Sequence, residues 1–425
     1  MHSDFKLYRD VMKKDIVIIG GGIIGVCTAY FLWKEGRSVT VIDKGEIGKE
    51  CSYGNAGYIT PSHFIPLSAP GMISKGIKWM MNPESPFYIK PHFDVEFIKW
   101  LWKFNSYCTN KHVQHVQKTI LELNLESMKL YNEMSNIDDL DFQYSENGLL
   151  MLFNTEKGLS EEYSVINEAN KLGLKARILS KEEIKEKEPN INFDIIGGSF
   201  FPEDGHIHPY EFVSSLTSFL KKNGVEFLEH SEVIDLDIFG NHISSIQTNT
   251  TNISANEFVL ATGSWSPILA KKLNITIPIQ AGKGYSFTLD NPFGKIDTPF
   301  IFAEAKVAAT PLTNKIRFGG TMELAGLTEG INQRRVNGII KSIKKYIPSF
   351  DESSIDRNNI WYGYRPCSPD GVPIVGRTEK FNNLTIATGH AMMGLSLGPI
   401  TGKLVSETIC NKSEKYLNYL SPNRF

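Results

Sequence analysis

Two groups of residues have types and spacings that suit chemistry. The first is Gly20-x-Gly22-x-x-Gly25. It lies between the Val/Ile-rich run Asp15–Gly20 and a stretch in which Ala29, Leu32 and Trp33 recur at helical spacing before Gly36. A second apolar run, Ser38–Asp43, ends in an acid. In such a strand–turn–helix–strand unit, Gly20 permits the tight turn, Gly22 lets a pyrophosphate approach the backbone, and Gly25 brings helix close to strand. The helix N-terminus offers N–H groups to phosphates, and Asp43 is placed to bond ribose hydroxyls. A lone glycine triplet is a weak signal. Strand, helix, second strand and terminal acid in order point to a dinucleotide, NAD or FAD. The fingerprint occurs once, which predicts a single dinucleotide. The second group centres on Arg365, between Tyr364 and Pro366. Proline fixes its own backbone and biases the preceding residue toward extended chain. A guanidinium held on stiff chain is a fork for a carboxylate or a phosphate. The same residue type also serves as a surface charge or in a structural ion pair.

Three other features bear on chemistry. Lys306, in "FAEAKVAATP", reads as an interruption of an apolar strand, either functional or an edge-strand charge that discourages aggregation. "HIH" (His206 to His208) lacks a third ligand at a usable spacing and reads as a turn entering a helix, so no metal is expected. The five cysteines, Cys27, Cys51, Cys108, Cys367 and Cys410, are widely spaced without a C-x-x-C pair. That pattern argues against a disulfide framework, a zinc site or an iron–sulfur cluster, and suits a reducing compartment.

The elements that must position these groups belong to a long chain. At 425 residues, two domains are the natural division. Hydrophobic residues make up 41%, charged residues 22%, and the net charge is -2, so no field of one sign is available to attract nucleic acid. The basic-then-apolar start "KKDIVIIGGGIIGVCTAYFLW" mimics a signal peptide, but Asp15 and the glycines fit the dinucleotide unit instead. No apolar run reaches the ~20 residues of a membrane span. "FIKWLWKF" (Phe97 to Phe104) reads as an amphipathic helix with snorkelling lysines, or as a membrane-surface contact. Val113 to Met134 has the apolar spacing of a long amphipathic helix. Residues 1–12 read as a loose leader.

Five stretches, in order along nearly the whole chain, carry a family resemblance. They are "ECSYGNAGYITP" (Glu50 to Pro61), "LSAPGMISKGIKWMMNPESPFYIKP", "NEFVLATGSWSPIL" (Asn256 to Leu269), "WYGYRPCSPDGVPIVGR" and "NLTIATGHAMMGLSLGPITGKLVSE". Together they resemble the D-amino-acid oxidase superfamily of flavoenzymes, and within it the bacterial D-amino-acid dehydrogenases. The resemblance implies FAD as the dinucleotide. It assigns cofactor contacts to Gly20, Gly22, Ile23, Ile24 and Gly25 in the fingerprint, and to Asp43 and Lys44 after it. The small-residue loop with Ser52, Asn55, Ala56 and Gly57 would cross the flavin. Val233 would lie near the adenine and Thr262 and Gly263 under the pyrophosphate. Gly389, Met393, Gly394 and Leu395 would face the flavin's pyrimidine ring. Arg365 would clamp the substrate carboxylate, with Tyr285 bonding it from the opposite side and Lys306 as a further catalytic candidate. Met392 stands where glycine-oxidase-like relatives carry a basic residue, which implies a more apolar pocket. His390 is expected to be structural, satisfied by backbone.

The implied fold is α/β. A discontinuous Rossmann-like FAD-binding domain (13–65, 205–270 and 355–425) joins an α+β substrate domain (66–204 and 271–354) with a mainly antiparallel sheet. The implied reaction is oxidative deamination of a D-amino acid to a 2-oxo acid, with hydride passing from the α-carbon to the flavin N5. Three alternatives stand beside it: a dehydrogenase of a cyclic or secondary amine such as D-proline or cis-4-hydroxy-D-proline, a glycine or sarcosine oxidase, and a non-catalytic flavin-binding subunit. Electrons would leave through oxygen, a quinone or a partner protein. The location implied is cytoplasmic, with a quinone acceptor favouring peripheral contact with the inner face of the cell membrane.

Overall fold

The structure is a computed structural model describing residues 14–80, 85–90, 94–412 and 415–425. The leader expected at 1–12 lies outside the described residues. The strand Lys14–Ile19 sits inside an eight-stranded sheet, parallel to Val39–Ile42 on one side and Asn252–Leu260 on the other. Its residues alternate between two cores. Ile16 and Ile18 join one apolar cluster, Val17 and Ile19 the other. A strand buried on both faces needs such an unbroken β-branched run. Glu226–Leu228 and Leu384–Thr388 extend the parallel part, while Val233–Phe239 and His242–Thr248 form an antiparallel extension. The helix Ile23–Lys34 covers one face and packs on the helix Gly398–Ile409. Contact there is close: a Cβ on Gly402 would lie 2.5 Å from the Cys27 carbonyl carbon.

A nine-stranded sheet forms the second layer, in the order Trp361–Cys367, Gln280–Asp290, Lys315–Leu324, Val307–Leu312, Phe300–Phe302, Leu149–Phe153, Gly197–Phe201 and Arg177–Ser180. Phe87–Ile89 adds to Lys315–Leu324 off this path. Its pairings are antiparallel except Phe300–Phe302 with Leu149–Phe153 and Phe87–Ile89 with Lys315–Leu324. One face buries Phe287, Phe302 and Phe318 under Val336, Ile339 and Ile343 of the helix Gln333–Tyr346. The other face lines a cavity.

Three sequence expectations need correction. The strand carrying Arg365 was assigned to the cofactor domain, yet it pairs with Gln280–Asp290 in the second sheet, Arg365 opposite Gly282. The long helix was assigned to the substrate domain. It runs over Asn110–Ser135, and Ile120, Leu123, Leu130 and Tyr131 join the core of the first sheet. Lys306 does not interrupt a strand. It occupies the turn between Phe300–Phe302 and Val307–Leu312, at a left-handed φ of +53°. The aromatic helix Val95–Tyr107 buries Phe97, Trp100 and Phe104 and exposes Val95, Ile98 and Trp102. Among the described residues no helix is long and apolar enough to cross a membrane.

Candidate active site

Between the two sheets runs a cavity of about 800 Å³. That falls in the upper part of the range for small-molecule and cofactor sites. At one end lies the glycine turn. A Cβ on Gly25 would stand 1.8 Å from the Gly20 carbonyl oxygen, so only glycine lets the helix approach the strand here. Gly22 caps the helix without a side-chain bond, and the Ser52 hydroxyl accepts from the Ile23 N–H at 3.1 Å. Asp43 ends its strand facing the cavity, its carboxylate accepting from Gly21 N at 2.7 Å and Gly45 N at 2.8 Å. Lys44 stacks its ammonium 4.0 Å from the centre of the Trp265 ring. Thr262 and Gly263 line the wall beside Ser264, whose buried hydroxyl has no partner.

Most residues expected to hold a cofactor meet in this one cavity. Gly20, Gly22, Ile23, Ile24, Asp43, Lys44, Ser52, Asn55, Ala56, Val233, Thr262, Gly263, Met393, Gly394 and Leu395 all line it. Gly25, Gly57 and Gly389 do not; they support the wall from behind. The loop carrying Ser52 to Gly57 is pinned by side chains that sequence reasoning missed. Ser286 donates to the Gly54 carbonyl at 2.8 Å, Thr310 to that of Ala56 at 2.5 Å, and Arg317 to those of Tyr53 and Asn55 at 3.2 and 2.7 Å. Burial lowers the Arg317 pKa to about 10. These residues read as ordinary strand positions, and only the fold brings them under the loop.

At the other end stands Arg365. Its guanidinium lies across Gly284, where a Cβ would meet Nη1 at 2.0 Å. Nη1 donates to the Thr321 carbonyl at 2.7 Å. Burial lowers its pKa, and no carboxylate among the described residues pairs with it. The nearby thiols Cys51 and Cys367 are pushed up by burial, to about 11 and about 12, and stay neutral at pH 7. Tyr285 does not join Arg365. Successive strand residues face opposite sides. Gly284 lies under the guanidinium, so the Tyr285 hydroxyl falls on the far face, donating to Glu323 at 2.8 Å. Lys306 does reach the cavity wall, and so does His63, which sequence reasoning passed over. The only signal for His63 was a lone imidazole after the small-residue loop.

His390 is buried and neutral, its pKa lowered to about 3 by desolvation. Its ring is satisfied by the Thr401 hydroxyl at 2.9 Å, where backbone had been expected. His208 caps the helix Pro209–Lys222, and the "HIH" segment turns into that helix. Among the described residues no group of His, Cys, Asp and Glu could hold a metal ion.

Residues 15–408 match the family described as FAD dependent oxidoreductase. A D-amino acid dehydrogenase of Helicobacter pylori is 32% identical over 399 residues, covering 93% of this chain and 94% of its own. The chain belongs to the FAD-dependent oxidoreductase family. Another member named D-amino acid dehydrogenase, from Granulibacter bethesdensis, is 31% identical over 405 residues, 93% of this chain and 96% of its own. Among solved folds, glycine oxidase from Geobacillus kaustophilus superposes with a TM-score of 0.78 at 22% identity, over 97% of this chain and 99% of its own. L-proline dehydrogenase from P. horikoshii gives 0.76 at 24% identity, over 97% and 98%. As an FAD-dependent oxidoreductase, the chain has a place for its cofactor. The helix start at Gly22, which has no capping side chain of its own, the Ser264 hydroxyl without a partner among the described residues, and Asp43 on the cavity wall fit a dinucleotide.

Proposed function

We propose that the protein oxidises D-amino acids to their 2-oxo acids, releasing ammonia after hydrolysis of the imine. One observation carries the reading: Arg365 is an uncompensated cation in a cavity wall beyond the cofactor end. A charge taken from water needs a partner, and a carboxylate is the anion a guanidinium fork fits best. The relatives named D-amino acid dehydrogenase support the D configuration. A quinone as the electron acceptor belongs to the same proposal.

FAD, when bound, takes the hydride from the α-carbon. The chain's own task is orientation. Arg365 fixes the carboxylate and Thr321 fixes Arg365, so the α-carbon is presented in one attitude. Gly284 and Gly363 let the Arg365 guanidinium and the Trp361 ring lie directly on that wall. Nothing in this scheme needs a protein nucleophile.

The test is anaerobic bleaching of the purified yellow protein by D-amino acids, D-proline, cis-4-hydroxy-D-proline, sarcosine and glycine, with L-enantiomers as controls. Bleaching by D-forms, slow recovery in air and fast recovery with a soluble quinone are expected. Bleaching by L-forms, or by none of the panel, would sink the reading.

A further inference from the structure

Beyond Arg365 the cavity wall is mainly apolar, with Ile65, Leu67, Phe87, Met151, Ile301 and Met322. Two polar heads interrupt it, Lys306 and His63. Lys306 is held in a tight turn, in a backbone conformation uncommon for a residue with a side chain. Its carbonyl packs against Gly320, where a Cβ would stand 3.1 Å away. The neighbouring Thr321 is the residue that receives Arg365. Lys306 therefore sits a strand away from the clamp's own anchor. Among the described residues its ammonium has no hydrogen bond and no ion pair. Desolvation lowers its pKa and the charge of Glu162 opposes that, while Glu162 itself bonds Ser199 at 2.7 Å.

His63 is held by a buried chain. Its Nδ1 lies 3.0 Å from the Ser62 hydroxyl oxygen. Ser62 in turn bonds the Asp204 carboxyl twice, through its N–H at 2.9 Å and its hydroxyl at 2.5 Å. Asp204 is fully buried. Because the Ser62 hydroxyl donates to Asp204, it accepts from His63 Nδ1–H, and Nε2 is left as an unprotonated acceptor. Burial, with the Lys306 charge second, lowers the His63 pKa to about 4. The ring is thus neutral at pH 7.

We propose that Lys306 and His63 form a second anchor, which binds an oxygen on the substrate's side chain. The preferred substrate is then a D-amino acid with a hydroxyl beyond its α-carbon, whose oxygen accepts from Lys306 and whose proton is donated to His63 Nε2, not an aliphatic one. This rests on the deamination reading. Lys306 stands exposed at the cavity wall. A substrate covering it would strip its water, and an acceptor oxygen on that substrate removes the cost. A site that hydrogen-bonds a substrate oxygen strongly rejects the analogue lacking it, because its polar groups are left unpaired.

The experiment is anaerobic flavin reduction of the holoenzyme by matched pairs: D-glutamate against D-norvaline, D-serine against D-alanine, and cis-4-hydroxy-D-proline against D-proline. Wild type should favour the oxygen-bearing member of at least one pair by about tenfold or more in reduction rate over apparent Kd. The hydroxyl pairs should show it; a preference confined to D-glutamate would overturn the part of the anchor given to His63. Lys306→Met should collapse that ratio, mainly through apparent Kd, and His63→Leu should reduce it, with flavin content and spectrum unchanged. Preference for neither member in every pair overturns the anchor and leaves deamination standing. Equal weakening of both members by Lys306→Met also overturns the anchor. Failure of every amino acid to reduce the flavin overturns deamination and the anchor together.

Discussion

A guanidinium that has lost water and found only a carbonyl is a binding site waiting for an anion. Arg365 has Thr321 on one side and Gly284 beneath it, with the cavity in front. Replacing it with alanine should leave FAD bound, because none of the fingerprint residues touches it. The loss should fall on substrate, roughly 2–5 kcal/mol of transition-state stabilisation, which is the usual cost of deleting one partner of a buried charge pair. Stopped-flow reduction of Arg365→Ala at varied amino acid would read this as a large rise in apparent Kd; wild-type behaviour would remove the clamp. Gly284→Ala tests the same idea without touching the charge. Its methyl would enter the space of Nη1, and the flexible arginine would swing aside. The variant should fold, hold flavin and lose affinity for substrate. Arg365 was legible in the sequence because Pro366 stiffened it and its neighbours resembled a known motif. The Tyr285 assignment failed for a reason of parity. A strand alternates its faces, and without the pairing register a tyrosine one residue from Gly284 cannot be assigned to either side.

Among the elements, the loop Cys51–Gly57 depends most on its neighbours. It has no regular hydrogen-bond ladder and is tied to the second sheet by Ser286, Thr310 and Arg317. Arg317 bridges two of its carbonyls while its Nε donates to Thr288 at 2.9 Å. Arg317→Ala would leave the Tyr53 and Asn55 carbonyls without their donor and loosen the loop that lines the flavin end of the cavity. The expected result is a several-fold weaker hold on FAD, measured by flavin release during dialysis, with the thermal transition of the FAD-saturated protein changed less than that of the apoprotein. Full retention of FAD would mean that the loop holds its shape alone. Local patterning made many elements readable. Examples are the β-branched run at Lys14–Ile19 and the apolar stripe of Asn110–Ser135. The sheet to which Trp361–Cys367 belongs was not readable. Its partner lies some eighty residues upstream, and nothing local distinguishes an edge strand of one sheet from that of another.

For the whole molecule, buried ionisable groups set how stability answers to pH. His63, His206 and His208 are lowered to about 4, and His390 to about 3, chiefly by desolvation. In the unfolded chain each would titrate near 6.5. Below that value the unfolded state binds protons that the folded state refuses, so their contribution is lost as pH falls toward 4. Asp204 acts oppositely. Burial pushes it up to about 8, so the folded state keeps a proton that the unfolded state releases above about 4. Its contribution is present in acid and disappears as pH rises through 8. Glu162 and Glu188, also raised by burial, add to that side nearer their ordinary range. Between pH 6.5 and 5, four imidazoles outweigh one carboxyl, and the net uptake on unfolding grows from about one proton to more than two. Stability should therefore fall by roughly 2 kcal/mol per pH unit there, a large share of a typical 5–15 kcal/mol. Urea unfolding of the FAD-saturated protein at pH 8.5, 7.5, 6.5, 5.5 and 5 would check the sign. The midpoint should rise slightly on going from 8.5 to 7.5 and drop steeply below 6.5. Asp204→Asn should erase the rise and keep the drop. A midpoint that holds steady from 6.5 to 5 would mean that the folded protein admits protons to these imidazoles, and their burial would then have to be far less complete than the packing around His390 and Thr401 requires.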